Sequence, residues 1–142
     1  MVLFTMYKNN LFYYITIAYK YYSAEGFSHA MRVAEYVNNN PMIPKDIKDI
    51  CILLAILHDI LEDTDWNGEN ELNGYLLARL RLLTREQDVS YEDYIEKIAA
   101  LKDRYREVYW VKIADIKDHL NLSETLTDYL KDKYTKALAV LL

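Results

Sequence analysis

The apolar residues of this chain recur at helical spacing along most of its length. Two stripes of aliphatic residues show the three-and-four spacing of one helix face: Ala30, Val33, Ala34 and Val37, and then Leu72, Leu76, Leu80 and Leu83. No segment of useful length alternates between apolar and polar positions with period two, as a half-buried strand would. The pattern therefore predicts an all-α protein, a single compact helical domain of about six or seven helices.

Capping residues and breaks place the ends of the first helices. Residues 1–22 are rich in tyrosine and aliphatic residues, and we expect an aromatic core helix there. The segment "SAEGF" predicts a turn, with Ser28 as the N-cap of the next helix. Pro44 occupies a favoured first-turn position, and residues 47–63 are apolar on nearly every side. These features predict a central, buried helix.

The second half of the chain shows the same organisation. Residues 63–70, "DTDWNGEN", predict a loop after the central helix. Ser90 and Asp93 resemble a capping box at the start of a helix. Two more helices are predicted at residues 107–120 and at about residues 126–142.

Composition and charge narrow the class of protein. With 142 residues, of which 52% are hydrophobic and 27% charged, the chain fits one globular domain spanning residues 1–142. A net charge of −5 argues against general binding to nucleic acid or to anionic membranes. The N-terminus lacks a basic start and a long uncharged run, so we expect no membrane insertion. A single cysteine, Cys51, allows no internal disulfide and predicts a cytoplasmic protein. For the oligomeric state, the sequence leaves both a monomer and a homodimer open.

The predicted central helix ends in an acidic patch, "HDILEDT". On a continuous helix, His58 lies over Glu62 and Asp59 lies over Asp63, so the four side chains share one face. Adjacent buried carboxylates must be protonated, paired with basic residues or neutralised by a metal ion. After residue 49 no Lys or Arg follows until Arg79, so the neutralising charge must come from elsewhere.

The residues of the patch by themselves allow two interpretations. In the first, residues 58–63 are simply the solvent-exposed last turn of a helix. In the second, they join His29, at the start of an amphipathic helix, and Asp115, which interrupts an apolar face one turn after Val111. The second set supplies two imidazoles and two carboxylates: His29, His58, Asp59 and Asp115. Such mixed nitrogen and oxygen ligands suit one Mn²⁺, Fe²⁺, Zn²⁺ or Mg²⁺ ion.

The spacing of these residues resembles a known superfamily. In chain order the segments are "HAMRVAEYV", "LLAILHDILEDT", "LTR…SYEDYIEKI" and "VKIADIKDHL", and they span roughly residues 16–122. They resemble the HD phosphohydrolases, and within them the hydrolase domain of RelA/SpoT proteins and the small alarmone hydrolases. A lone His-Asp pair would carry little weight, whereas "HDxxEDT" in register with an upstream "HxxRVA" and a downstream "VKxAD" is specific.

The resemblance implies a mechanism and a set of roles. The four residues named above would hold one divalent ion, most often Mn²⁺ in the family. Glu62 and Asp63, the acids of "HDxxED", would act on the hydrolytic water. Lys20 and Lys112 fall where the family has basic residues that contact substrate, although either also fits a solvated surface position.

Two departures from the family pattern leave the nucleotide open. Ala30 stands where the alarmone hydrolases have Pro, and His119 stands where they have an Asn that binds the nucleotide sugar. His119 is a candidate substrate contact, and Trp66 can wall the pocket. The first candidate activity is hydrolysis of the 3′-pyrophosphate of (p)ppGpp. The alternatives are a nucleotidase or (d)NTP phosphohydrolase of the same superfamily, or a protein that binds nucleotide without turnover.

Overall fold

A computed structural model describes residues 11–142, and every regular element in that range is helical. The α-helices, in chain order, are α1 Leu11–Tyr21, α2 Ala24–Asn39, α3 Lys48–Leu57, α4 Ile60–Asp63, α5 Gly74–Leu83, α6 Tyr91–Ala100, α7 Arg106–Asn121 and α8 Asp128–Leu141, with a 3₁₀ turn at Glu69–Glu71. Seven of them have ten residues or more, and α4 is a single turn. The predicted all-α class is confirmed. The part of the predicted N-terminal helix in residues 1–10 lies outside the described residues.

Helix α3 is the centre of the core. It packs against α1, α2, α5 and α7, and its aliphatic side chains Leu53, Leu54, Ile56 and Leu57 are almost fully buried. Helix α7 lies against α2, α3 and α8, while α6 and α8 close the far side. Among residues 11–142, no helix combines the length and the apolar character that a bilayer crossing requires.

The predicted single helix over residues 47–63 is wrong, because the chain breaks between α3 and α4. The carbonyl of Ala55 accepts a hydrogen bond from Nδ1 of His58 at 2.6 Å. The backbone N–H of Asp59 instead donates to the hydroxyl of Tyr22, at 3.2 Å. These two contacts replace a helical hydrogen bond, and they turn the neighbouring side chains of His58 and Asp59 toward one point.

Two predicted helix starts are also wrong. Helix α2 is capped by Ser23, whose Oγ accepts from the N–H of Gly26 at 3.0 Å, so it begins earlier than a cap at Ser28 would allow. "SAEGF" is therefore the first turn of the helix rather than a separate turn. Residues 45–47 form turns after Pro44, and α3 begins only at residue 48. The cap predicted at Ser90 is confirmed.

Lys48 ties the C-terminus of α2 to the start of α3. Its Nζ donates to three carbonyl oxygens, those of Val37 at 2.9 Å, Asn38 at 3.2 Å and Asn40 at 2.6 Å. The last carbonyls of a helix have no intrahelical partner, and a cation there also complements the helix dipole.

Replacing this lysine tests how much the contact stabilises the fold. We expect Lys48→Met to lower the free energy of unfolding by about 1–3 kcal/mol, because it keeps the aliphatic stem and removes a charged donor. Lys45→Met, at an exposed position three residues earlier, is the matched control. Urea titrations of both variants measure the difference, and equal midpoints would show that the contact contributes nothing.

Candidate metal centre

Four side chains from three parts of the fold converge at the break after α3. His29 comes from α2, His58 and Asp59 from the break itself, and Asp115 from α7. One ligand atom of each lies within 4.8 Å of all the others. His29, His58 and Asp115 are at most 8% exposed, and Asp59 is more open. The structure thus brings together the four predicted ligands, and the interpretation as a solvated helix end does not hold for His58, which is 2% exposed.

The distances from Nε2 of His58 to the other three ligand atoms match the edges of a metal coordination polyhedron, and the distances from Nε2 of His29 to the two carboxylates lie slightly outside that range. Nε2 of His58 lies 3.2 Å from Nε2 of His29, 3.2 Å from Oδ1 of Asp115 and 3.1 Å from Oδ2 of Asp59. Nε2 of His29 lies 2.8 Å from Oδ1 of Asp115 and 3.7 Å from Oδ2 of Asp59. Ligand atoms bonded to one divalent ion at ~2.0–2.3 Å stand about 3–3.5 Å apart. The group can therefore hold a metal ion.

In both imidazoles, Nδ1 makes a hydrogen bond that leaves Nε2 free to bind a metal ion. Nδ1 of His58 must donate to the Ala55 carbonyl, since a carbonyl only accepts. Nδ1 of His29 lies 2.6 Å from Oδ2 of Asp118, so it donates to a carboxylate. In the neutral rings, each Nε2 lone pair then points at the cluster. Metal-binding histidines commonly donate their second N–H in this way.

Asp118 is in turn fixed by Arg32. The guanidinium donates from Nε to Oδ1 at 2.9 Å and from Nη2 to Oδ2 at 3.1 Å. Asp118 is only 1% exposed, and these bonds together with His29 hold its pKa below the ordinary value although burial acts in the opposite direction. Asp118 is therefore a positioning residue for His29.

Removing this carboxylate is expected to weaken metal binding. Because Asp118 orients His29 and raises its basicity, Asp118→Leu should lower the affinity for Mn²⁺ by ~10- to 100-fold. Asp118→Asn keeps an acceptor for Nδ1 of His29, so its affinity for Mn²⁺ should decrease less. Asp103→Leu, at an exposed position outside the cluster, is the control. Titration with Mn²⁺ measures each affinity, and wild-type binding by Asp118→Leu would exclude this role.

The electrostatics of the cluster call for positive charge. Burial alone would lower the pKa of His58, but the charges of Asp59 and Asp115 hold it well above its usual value. Burial would raise the pKa of Asp115, yet Lys112 and His58 keep it well below the ordinary range. Without a metal ion, the buried carboxylates thus favour protonated imidazoles. A divalent cation would supply the same compensation.

Lys112 lies beside this cluster and contacts a ligand. Its Nζ is 2.8 Å from Oδ2 of Asp115, and it lies over the rings of Tyr94 and Tyr91, 5.0 and 5.8 Å from their centroids. Burial would lower the pKa of Lys112, but Asp115 raises it well above the usual value. The ammonium group therefore occupies the outer oxygen of Asp115 and leaves Oδ1 for the cluster.

Glu62 and Asp63, the two predicted catalytic acids, flank Asp59 from α4. Oε1 of Glu62 accepts a hydrogen bond from the backbone N–H of Arg85, in the loop after α5. Burial and the nearby Asp59 raise the pKa of each carboxyl above its ordinary value. Both side chains belong to exposed residues, which leaves them accessible to water and substrate.

A cavity of about 790 Å³ opens directly onto the cluster. It is lined by Asp59, Asp63 and His29, and also by His119, whose Nε2 lies 3.3 Å from Oδ1 of Asp115. The ring of His119 stacks on Tyr134 at a centroid distance of 4.6 Å. The structure therefore places His119 where a substrate in the cavity can reach it.

Two predicted residues lie away from this cavity. Lys20 is exposed in the last turn of α1, and its Nζ lies 5.4 Å from the centroid of the Tyr21 ring. It does not line the cavity, so its role as a substrate contact stays a prediction. Trp66 is 7% exposed and packs in the hydrophobic core, where its ring also leaves no room for a side chain at Gly68.

Sequence reasoning missed Asp118, Arg32 and Tyr22 as parts of the site. Spacing contained a signal for the first two, since Asp118 follows the ligand Asp115 by three residues and Arg32 follows His29 by three. Tyr22 contacts the backbone of Asp59 from 37 residues away, and no local pattern marks it.

Comparisons with known proteins do not assign the chain to a family. A scan against models of protein families finds no match, and a search of curated proteins finds no relative. The HD resemblance thus depends on the sequence motifs alone. Family membership, activity, nucleotide and cellular location stay predictions.

Proposed function

We propose that this protein is a divalent-metal-dependent phosphohydrolase of the HD type that acts on a nucleotide. The 3′-pyrophosphate of (p)ppGpp is the first candidate substrate, and Mn²⁺ is the first candidate ion. The observation that carries the proposal is the convergence of two Nε2 atoms and two carboxylate oxygens beside a cavity large enough for a nucleotide. Two further carboxylates stand next to this group, which a simple binding protein has no need of.

The roles of the individual residues follow from their positions. His29, His58, Asp59 and Asp115 would hold the ion, which when bound would polarise a phosphoryl oxygen and increase the acidity of a water molecule. Glu62 or Asp63 would take a proton from the attacking water. The N–H of Arg85 fixes one oxygen of Glu62, so the other oxygen is left to act as a base.

The charge of the cavity favours a second candidate within the same class. Glu25, Asp63 and Glu124 line it, whereas Arg32 is its one permanent cation among the described lining residues, and Asp118 already binds that cation. An acidic cavity repels a substrate that places several phosphates there. This observation favours a nucleotidase that takes a nucleotide with one phosphate group, unless further phosphates lie on another side of the cluster.

A nucleotide screen tests the proposal. Purified protein is incubated with and without Mn²⁺ against ppGpp, nucleoside monophosphates and (d)NTPs, and release of pyrophosphate, phosphate and nucleoside is measured. We expect metal-dependent release from at least one nucleotide. His58→Ala, which removes a buried ligand, is the control for contaminating activity. Tight binding of a nucleotide without any turnover would instead favour the non-catalytic alternative.

A further inference from the structure

A second cavity, of about 480 Å³, lies between α6 and α8. Arg85, Tyr91 and Lys133 line it, and we call it the α6–α8 recess. It lies next to the metal centre, because Tyr91 lines the recess and its ring also faces Lys112, which binds Asp115. Nζ of Lys133 is 4.2 Å and Nζ of Lys112 is 5.8 Å from the centroid of the same Tyr91 ring.

Lys133 is a half-buried cation without a counterion in the described part of the chain. No carboxylate of residues 11–142 lies within ion-pair distance of Nζ of Lys133, whereas Lys136, one turn later on the same helix, pairs with Asp132 at 2.9 Å. Burial and the charges of Arg85 and Lys112 lower the pKa of Lys133, and Glu92 opposes them only in part. The lining of the recess also contains Glu92, Glu96 and Asp132, of which Asp132 is already paired with Lys136.

Two more hydrogen-bond donors in the recess have capacity to spare. The guanidinium of Arg85 donates from Nη1 to the carbonyl of Val89 at 2.8 Å and makes no ion pair among residues 11–142. The hydroxyl of Tyr91 is buried and has no hydrogen-bond partner in the same range. Buried polar groups are nearly always satisfied, so this hydroxyl calls for an acceptor that is not among the described residues.

The recess and the metal centre are joined by direct contacts. Lys112 bridges them, since it binds Asp115 and faces the Tyr91 ring. Arg85 bridges them a second time through its backbone bond to Glu62. A ligand with two anionic groups can thus place one at the metal centre and the other in the recess.

We propose that the α6–α8 recess binds a second phosphate or diphosphate group of the substrate, with Lys133 and Arg85 as its cations and Tyr91 as a hydrogen-bond donor. This proposal rests on the proposed function, because it assigns the other phosphate to the metal centre. It also offers ppGpp two cations, Lys133 and Arg85, that form no ion pair among residues 11–142, whereas Arg32 in the first cavity is bound by Asp118. Extra phosphates would lie on the Lys133 side, away from Glu25 and Glu124.

Two matched ligands test the recess: guanosine 3′,5′-bisphosphate and guanosine 3′-monophosphate, which differ by one phosphate. Calorimetric titration of the Mn²⁺-loaded protein gives both dissociation constants. We expect Lys133→Gln to weaken binding of the bisphosphate ~10-fold, the effect of one charged hydrogen bond, and that of the monophosphate less than twofold. Lys133→Arg should restore most of the preference. Lys131→Gln, exposed on the same helix, is the control and should change neither constant.

The outcomes separate this proposal from the proposed function. The proposal for the recess is overturned by any of three results. These are unchanged bisphosphate affinity in Lys133→Gln, equal losses of affinity for both ligands, and no binding of the bisphosphate by the wild type. If the wild type hydrolyses a nucleotide while Lys133→Gln keeps the bisphosphate preference, the function stands and the recess fails. If the preference depends on Lys133 but no nucleotide is hydrolysed, the recess stands and the function fails.

Discussion

Glu62→Gln is expected to lower kcat by ~10²- to 10⁴-fold on whichever nucleotide the screen identifies, the usual contribution of a positioned general base. The substitution keeps the size of the side chain. Its amide oxygen can still accept the hydrogen bond from the N–H of Arg85, so α4 and the loop after α5 should keep their positions. What disappears is the charge that takes up a proton.

The comparison needs variants that separate chemistry from metal binding. Glu62 is not one of the four ligands, so metal stoichiometry and KM should change little in Glu62→Gln. Asp63→Asn tests the neighbouring acid, which lines the cavity directly. Glu69→Gln, on the 3₁₀ turn, is a control acid outside the cluster. Full activity in Glu62→Gln with the wild-type metal content would assign the base to Asp63 or exclude the mechanism.

The four candidate metal ligands could be predicted from the sequence, whereas the local backbone conformation that brings them together could not. Three polar positions in apolar surroundings, His58, Asp59 and Asp115, were visible as exceptions to the helical pattern. The break that turns His58 and Asp59 to one point depends on the hydroxyl of Tyr22. A contact between distant residues leaves no trace in the local periodicity, so a continuous helix was the expected result.

The prediction of a helix start at Ser28 was wrong for a similar reason. Gly26 favours a turn by its intrinsic propensity, and that preference moved the predicted cap to Ser28. In the structure the N–H of Gly26 satisfies Ser23, and the helix continues through the glycine. Asp118 was missed because an acid near the C-terminus of a helix is normally solvated. It is buried only because Arg32 and His29, on another helix, bind both of its oxygens.

Removal of the metal ion is expected to destabilise the protein by an amount that melting curves resolve easily. An ion at 100 to 1,000 times its dissociation constant stabilises the folded state by about 3–4 kcal/mol. For a chain of this length, that corresponds to a decrease in Tm of about 5–15 °C after EDTA treatment, and Mn²⁺ should restore the original value. The physical reason is the pair of carboxylates, Asp59 and Asp115, which lose their shared cation.

Asp59→Asn provides the matched control for this experiment. Asp59 is the most exposed of the four ligands, with 25% of its side chain accessible, so its replacement should disturb the packing least. It removes one ligand charge, and the variant should respond to EDTA and Mn²⁺ much less than the wild type does. If wild-type protein shown by elemental analysis to have lost its metal melts at an unchanged temperature, the cluster does not depend on an ion. His29 and His58 would then neutralise Asp115 as imidazolium ions, and the site would be a buried hydrogen-bond network instead of a metal centre.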